Sequence, residues 1–194
     1  MASPILALPS AGGDRPRHLV RTGMLLAISS ATMVFGGLLA AYLELRRTVV
    51  PWPPEDIDID QYFGNMMVLT MVLGVIPVEW ACHALRRGLT RQAMAGLAVT
   101  IGLGLAFLNL LSFTAGHVGF DAASHPYGLV LTALVMLLGI SVAAGVAMVT
   151  LTLVRTAGGQ QGPHDHEQAR VAACWWHFTV GASIAVWYAI VVLK

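Results

Sequence analysis

Two ionisable side chains, Glu79 and His83, stand four residues apart inside an otherwise apolar stretch. On a helix that spacing puts them on one face, where they can share a hydrogen bond or a proton. Glu79 lies seven residues short of Arg86, roughly 10 Å at 1.5 Å per residue, and a carboxyl that deep in hydrocarbon is expensive enough to count as a functional candidate. A proton relay is one reading of the pair. The simpler one is a local pair, flanked by Trp80, that snorkels toward lipid headgroups or braces a neighbouring helix or lipid. His177 is a third candidate, one turn inside the last apolar stretch and directly after Trp175 and Trp176, where paired aromatics suit a membrane interface.

Other groups of reactive residues are weaker. His164-Asp165-His166 offers imidazole and carboxylate in a polar loop, but no third and fourth ligand follows at useful spacing. A haem or copper centre needs buried histidines; His83 and His177 alone qualify, and a site shared between them is the weakest candidate. Cys82 and Cys174 show no paired spacing and sit in apolar surroundings, so they read as packed thiols. No nucleophile motif, phosphate-binding glycine loop or catalytic carboxylate pair occurs. With a net charge of +1, the chain lacks the basic face that nucleic acid requires.

The elements that must position these residues follow from hydropathy. Of 194 residues, 57% are apolar and 11% charged, and mean hydropathy is +0.73. Soluble domains carry about 25% charge, so a water-soluble globule is excluded. Charged residues divide the chain into five apolar stretches, each reaching the roughly 20 residues a helix needs to cross a bilayer. Unsatisfied backbone cannot sit in lipid, and the stretches are too long for barrel strands, so the expected fold is all-α: a polytopic bundle of five transmembrane helices. The spans fall at about 20–44, 62–86, 92–118, 127–154 and 171–193 of a single membrane domain covering 1–194. Residues 1–19 form an N-terminal tail and 156–170 a cytoplasmic loop. The short apolar run Ile5 to Leu8 ends at Pro9, too short for a secretory signal, which leaves membrane targeting to the first span.

Eight of the eleven basic residues (Arg15, Arg17, Arg21, Arg86, Arg87, Arg91, Arg155 and Arg170) fall on one side of this topology. Arg46, Arg47, Lys194 and the acidic cluster Glu55, Asp56, Asp58 and Asp60 fall on the other. The expectation is a cytoplasmic N-terminus and an external C-terminus. Small residues four apart (Gly36 and Gly37 with Ala40 and Ala41, Gly102 with Ala106, Ser141 with Gly145) predict close helix contacts. No internal repeat of the kind found in many transporters is visible.

Several blocks together resemble a known family. Asn65-Met66-Met67-Val68-Leu69, followed by Trp80-Ala81-Cys82-His83-Ala84-Leu85-Arg86-Arg87-Gly88, is similar to the N-T-x-x-L … W-A-H-H-A-L-x-x-G helix of subunit III of haem-copper cytochrome c oxidases. Trp52-Pro53-Pro54 resembles that subunit's W-P-P loop, and Ser29 to Phe35 its S-E-x-M-F-F helix. Gly104 to Phe107, Tyr127-Gly128 and Trp176-His177-Phe178 with Trp187 follow its later blocks in order. The likeness runs from Arg21 to Leu193, matching the last five helices of a seven-helix long form and the five-helix bacterial form. Departures mark a divergent member. The helix-one glutamate of the pattern is Ala31 here, its Q-A-x-E-Y segment is Leu111-Ser112-Phe113-Thr114, its histidine pair falls on Ala133 and Met136, and an aspartate falls on Val180.

The resemblance implies a non-catalytic accessory subunit of a haem-copper terminal oxidase, a multi-pass protein of a bacterial plasma membrane. It implies no redox centre in this chain, haem and copper in the partner catalytic subunits, contact with oxidase subunit I and possibly II, bound phospholipid, and support of assembly and proton uptake in aerobic electron transport. Residues expected to pack helices or meet lipid are Glu79, Trp80, His83, His177, Asn65 and Asn109. Two alternatives stand beside it: the equivalent partner of a nitric oxide reductase, or an independent small proton-coupled transporter using Glu79 and His83, with Ser29, Ser30, Asn109 and Ser112 pointing inward.

Overall fold

A computed structural model describes residues 17–48, 61–117, 126–162 and 166–192, and these form helices α1 (Arg17–Thr48), α2 (Gln61–Leu73), α3 (Val75–Arg86), α4 (Thr90–His117), α5 (Pro126–Ala157) and α6 (Glu167–Trp187), the last extended by a π-helical turn, Tyr188–Val192. Because α2 and α3 together make one crossing, five helices of 25 to 32 residues are long and apolar enough to span a membrane, as the hydropathy pattern predicts. The Trp-Pro-Pro loop, the acidic cluster and the segment before α5 lie outside the described residues.

The second span is broken rather than continuous, and its sequence supplies the cause. Pro77 has no N–H to return to the carbonyl of Leu73, and its ring crowds that turn. Gly74 sits at the break, its N–H reaching the carbonyls of Thr70 and Met71, each at 3.2 Å. At the other end of α3 the chain reverses through a Schellman cap, with Gly88 at φ 73° and the Leu89 N–H donating to the Ala84 carbonyl at 2.9 Å. The same cap closes α5, where Gly159 has φ 69° and Gln160 N–H reaches Arg155 O at 2.9 Å; a side chain would strain both positions.

The bundle is keyed around one side chain. Trp176 of α6 is fully buried, and two glycines from neighbouring segments make room for it. A Cβ on Gly74 would come 2.7 Å from its Cζ2, and one on Gly104 of α4 would come 3.1 Å from its Cη2 and collide with Val146; one on Gly145 of α5 would make ordinary contact with it at 3.6 Å and press on Trp175 Cδ1 at 3.2 Å. Next to it the Trp175 indole N–H donates to the Ser141 carbonyl of α5 at 2.9 Å, so the Ser141–Gly145 pair is a helix contact as expected. Gly96 brings α4 against α3, where a Cβ would lie 2.7 Å from the Pro77 carbonyl oxygen.

The other small-residue pairs do something different. Gly36, Gly37 and Gly102 have nothing within 4 Å of a built Cβ, and Ala40, Ala41 and Ala106 are exposed, so these pairs face outward instead of packing inside the chain. α1 is the least buried span, held by the edge-on pair Phe35–Phe178, with centroids 6.0 Å apart, and by Tyr42 against Tyr127 at 6.1 Å.

Buried hydroxyls are satisfied within their own helices, as with Thr100 to the Gly96 carbonyl at 2.9 Å and Thr179 to the Trp175 carbonyl at 2.9 Å. That pattern removes the need for polar partners in the interior. Overpacking a filled core costs about 1–3 kcal/mol; replacing Gly74 or Gly104 by alanine therefore lowers the unfolding free energy measured in detergent by that order, whereas Gly36→Ala, facing open space, leaves it unchanged or slightly raised.

Candidate functional site

The ionisable candidates occupy the surface shared by α3 and α6. α3 ends and α6 begins at the same side of the bundle, the end marked by Arg21, Arg86, Arg155 and Arg170. There the Cys82 thiol contacts the Ala169 carbonyl at 3.4 Å, Arg21 approaches Glu167 at 3.9 Å, and Arg155 donates to Gln168 at 2.7 Å. The loop after α5 is drawn in by Gln161, which is buried and donates to the same Gln168 oxygen at 3.0 Å. Cys82 is thus packed, as expected, while Cys174 is exposed.

Glu79 does not pair with His83 on its own helix. Its Oε1 faces His177 Nε2 across the α3–α6 groove at 3.5 Å. The other ring nitrogen, Nδ1, lies 2.6 Å from the Ala173 carbonyl. A carbonyl only accepts, so Nδ1 carries the hydrogen, and in neutral imidazole Nε2 is then bare. Attraction across the pair requires one proton between Glu79 and His177, either imidazolium facing carboxylate or imidazole accepting from a protonated carboxyl. In both arrangements the pair has no net charge.

This pair points out of the bundle: the side chains are 58% exposed for Glu79 and 43% for His177. Trp80 is 47% exposed and His83 is exposed one turn nearer the arginines. Asn65 of α2 and Asn109 of α4 are exposed as well, and so are Ser29, Ser30 and Ser112. The inward polar path that the transporter alternative requires is not formed by these residues. No Asp, Glu, Lys, Arg or His is buried among the described residues. Nor do three His, Cys, Asp or Glu side chains among them gather as metal ligands; His164 and Asp165 lie outside the described residues, and His166 holds the N-cap position of α6.

The sequence carries an overlooked sign of this pairing. Glu79 precedes Arg86 by seven residues and His177 follows Arg170 by seven, which puts both at one depth on antiparallel helices. Exposed ion pairs couple by about 0.2–1 kcal/mol; a double-mutant cycle on Glu79→Gln and His177→Gln, read by unfolding in detergent, gives coupling in that range, and the cycle on Glu79→Gln with His83→Gln gives none.

Comparison with known proteins adds the missing context. The family model described as Cytochrome c oxidase subunit III matches residues 15–192. Cytochrome c oxidase subunit 3 of Gallus gallus is 28% identical over 166 residues, and those of Formosania lacustris and Danio rerio are 30% identical over 166 residues. In each case the match covers 82% of this chain and 64% of the relative, so the chain spans somewhat less than two thirds of the relatives' length. Five apolar crossings, the ordered Trp-Ala-x-His and Trp-His-Phe blocks on α3 and α6, and a family match running almost end to end converge: the chain belongs to the cytochrome c oxidase subunit III family.

Proposed function

We propose that the chain is a non-catalytic accessory subunit of a haem-copper terminal oxidase, working in the cytochrome c oxidase complex of a bacterial plasma membrane with its arginine-rich end in the cytoplasm. Haem and copper reside in the catalytic partners, subunit I and possibly subunit II, while this chain supports assembly, phospholipid binding and proton uptake. The observation that carries the reading is where its ionisable groups lie. The buried interior of a family member holds no acid, base or histidine among the described residues, and its polar cluster within a span, Glu79 with His177 and His83, faces outward from α3 and α6.

Such a cluster favours a neighbour. A charge in hydrocarbon costs about 2.5–3.5 kcal/mol even on insertion scales, and pairing Glu79 with His177 removes only part of that. A catalytic subunit presenting hydrogen-bonding groups against α3 and α6, His83 included, covers the remainder, and headgroups at the arginine end meet Trp80. Asn65 and Asn109, exposed on α2 and α4, belong to the same class of outward contact.

Purification of the tagged chain in mild detergent, followed by an absorbance spectrum, tests the reading. The expected result is co-purification of a haem protein. A haem-free homogeneous oligomer that moves protons in liposomes contradicts it and restores the transporter alternative. In the same preparation, Glu79→Gln combined with His83→Ala reduces the haem partner and bound phospholipid recovered per chain several-fold; unchanged recovery removes the assigned contact role.

A further inference from the structure

Hydrogen counting at the Glu79–His177 pair leaves one atom open. His177 Nδ1 is engaged by the Ala173 carbonyl and Nε2 by Glu79 Oε1, with one proton between the last two. Whichever of them holds it, Glu79 Oε2 bears no hydrogen and only accepts. No donor among the described residues is bonded to it. The pair lies seven residues inside the span from Arg86, roughly 10 Å, so lipid headgroups fall short of it and lipid tails carry no donor. Because an acceptor left bare in hydrocarbon is costly, the missing hydrogen comes from another polypeptide.

The surface around the pair has the form of a helix seat. α3 ends and α6 begins at the arginine side, so a step away from the arginines lowers the residue number on α3 and raises it on α6. On α6, Cys174, His177, Gly181 and Ile184 are exposed and follow at intervals of three, four and three, the spacing of a left-handed seam between helices. On α3, Ile76 and His83 are exposed three residues before and four after Glu79. Gly181 and Ile76 therefore stand on the same side of the pair at nearly one depth. Whereas a Cβ on Gly74 or Gly104 meets side chains of its own bundle, one on Gly181 has nothing within 4 Å, so the backbone of α6 lies bare directly beside the pair. Such bare backbone lets a second helix come close.

We propose that this face seats one membrane-spanning helix of the catalytic partner, packed against α6 over Gly181 and presenting an uncharged hydrogen donor, a hydroxyl or a side-chain amide, to Glu79 Oε2. The partner's identity rests on the oxidase reading. A helix is required because other backbone cannot lie against lipid at that depth. The donor is uncharged because the pair already has no net charge, and a cation beside it would leave one charge in hydrocarbon. A second copy of this chain does not serve: a twofold axis along the membrane normal brings the same pair to the same depth, acceptor against acceptor.

Recovery of haem per tagged chain in mild detergent is the readout, and the wild-type preparation comes first: no haem protein there overturns the oxidase reading and this seat with it. Where a haem protein is recovered, Gly181→Leu lowers its recovery several-fold while leaving the unfolding of the chain itself unchanged, and Gly102→Leu, on an open face of α4, leaves recovery near the wild-type level. Wild-type recovery from Gly181→Leu, or an equal loss from Gly102→Leu, overturns the seat alone. Glu79 reports the donor. Glu79→Leu, which removes the acceptor, lowers recovery several-fold, and the conservative Glu79→Gln, which keeps an acceptor oxygen without charge, restores it; the loss in the combined Glu79→Gln and His83→Ala variant then belongs to His83. Undiminished recovery from Glu79→Leu, or recovery from Glu79→Gln as low as from Glu79→Leu, which means a charged donor, overturns the proposal. Because Glu79 is a surface side chain, these arms hold even if Gly181→Leu fails to fold.

Discussion

The fold depends on fitting one large ring, Trp176, into a space bounded by three glycines. In water, burying such a side chain would be driven by hydration; in lipid the surroundings are already apolar, and the gain comes from close contact between helices. That contact requires matched shapes. Gly74 and Gly104 approach the indole closely enough that a Cβ would collide with it or press upon it, and Gly145 stands in ordinary contact with it while a Cβ there would press on Trp175. By meeting α4, α5 and the α2–α3 break at once, Trp176 fixes α6 at the centre of the bundle. The neighbouring residues inherit their positions from it: Trp175 is placed to donate to α5, and His177 is turned outward to meet Glu79.

The second constraint is the cost of polar groups in hydrocarbon. The chain meets it by sorting them. Threonine hydroxyls return to carbonyls four residues back, glutamines gather at the arginine end around Gln168, and the ionisable side chains within the spans go to the surface of α3 and α6. The positions at which the family pattern carries acids or histidines hold Ala31, Thr114, Ala133, Met136 and Val180 here. Val180 is buried and Met136 faces outward, so these substitutions leave an apolar interior and an apolar flank. Polar chemistry in the described part of the spans is concentrated at a boundary with something outside the chain.

Much of this was legible in the sequence, for identifiable reasons. Charges punctuating long apolar runs located the five crossings, because hydrocarbon tolerates few exceptions, and the ordered aromatic blocks pointed to the family. The break in the second span was signalled by Gly74 and Pro77 but hidden by the uniform hydropathy around them. Small-residue spacing marked surfaces that can approach closely without saying which meet a helix of the same chain: Ser141 and Gly145 do, Gly36 and Gly102 do not. For the site, spacing of four suggested Glu79 with His83, because sequence patterns report neighbours along one helix; the observed partner, His177, lies 98 residues away in sequence (177 less 79). The outward direction of the pair depends on how α6 is rotated, which Trp176 sets and no local pattern reveals.

The central claim is that the α3–α6 face carrying Glu79, His83 and His177 lies against a catalytic neighbour. Site-specific photo-crosslinking in intact membranes tests it most directly, with the reactive side chain placed at His83 and, as a control, at Met136 on the outward flank of α5. The account predicts an adduct between position 83 and a haem-bearing integral membrane protein, with none from position 136. Adducts from position 83 that contain only lipid, or only a second copy of this chain, would contradict it.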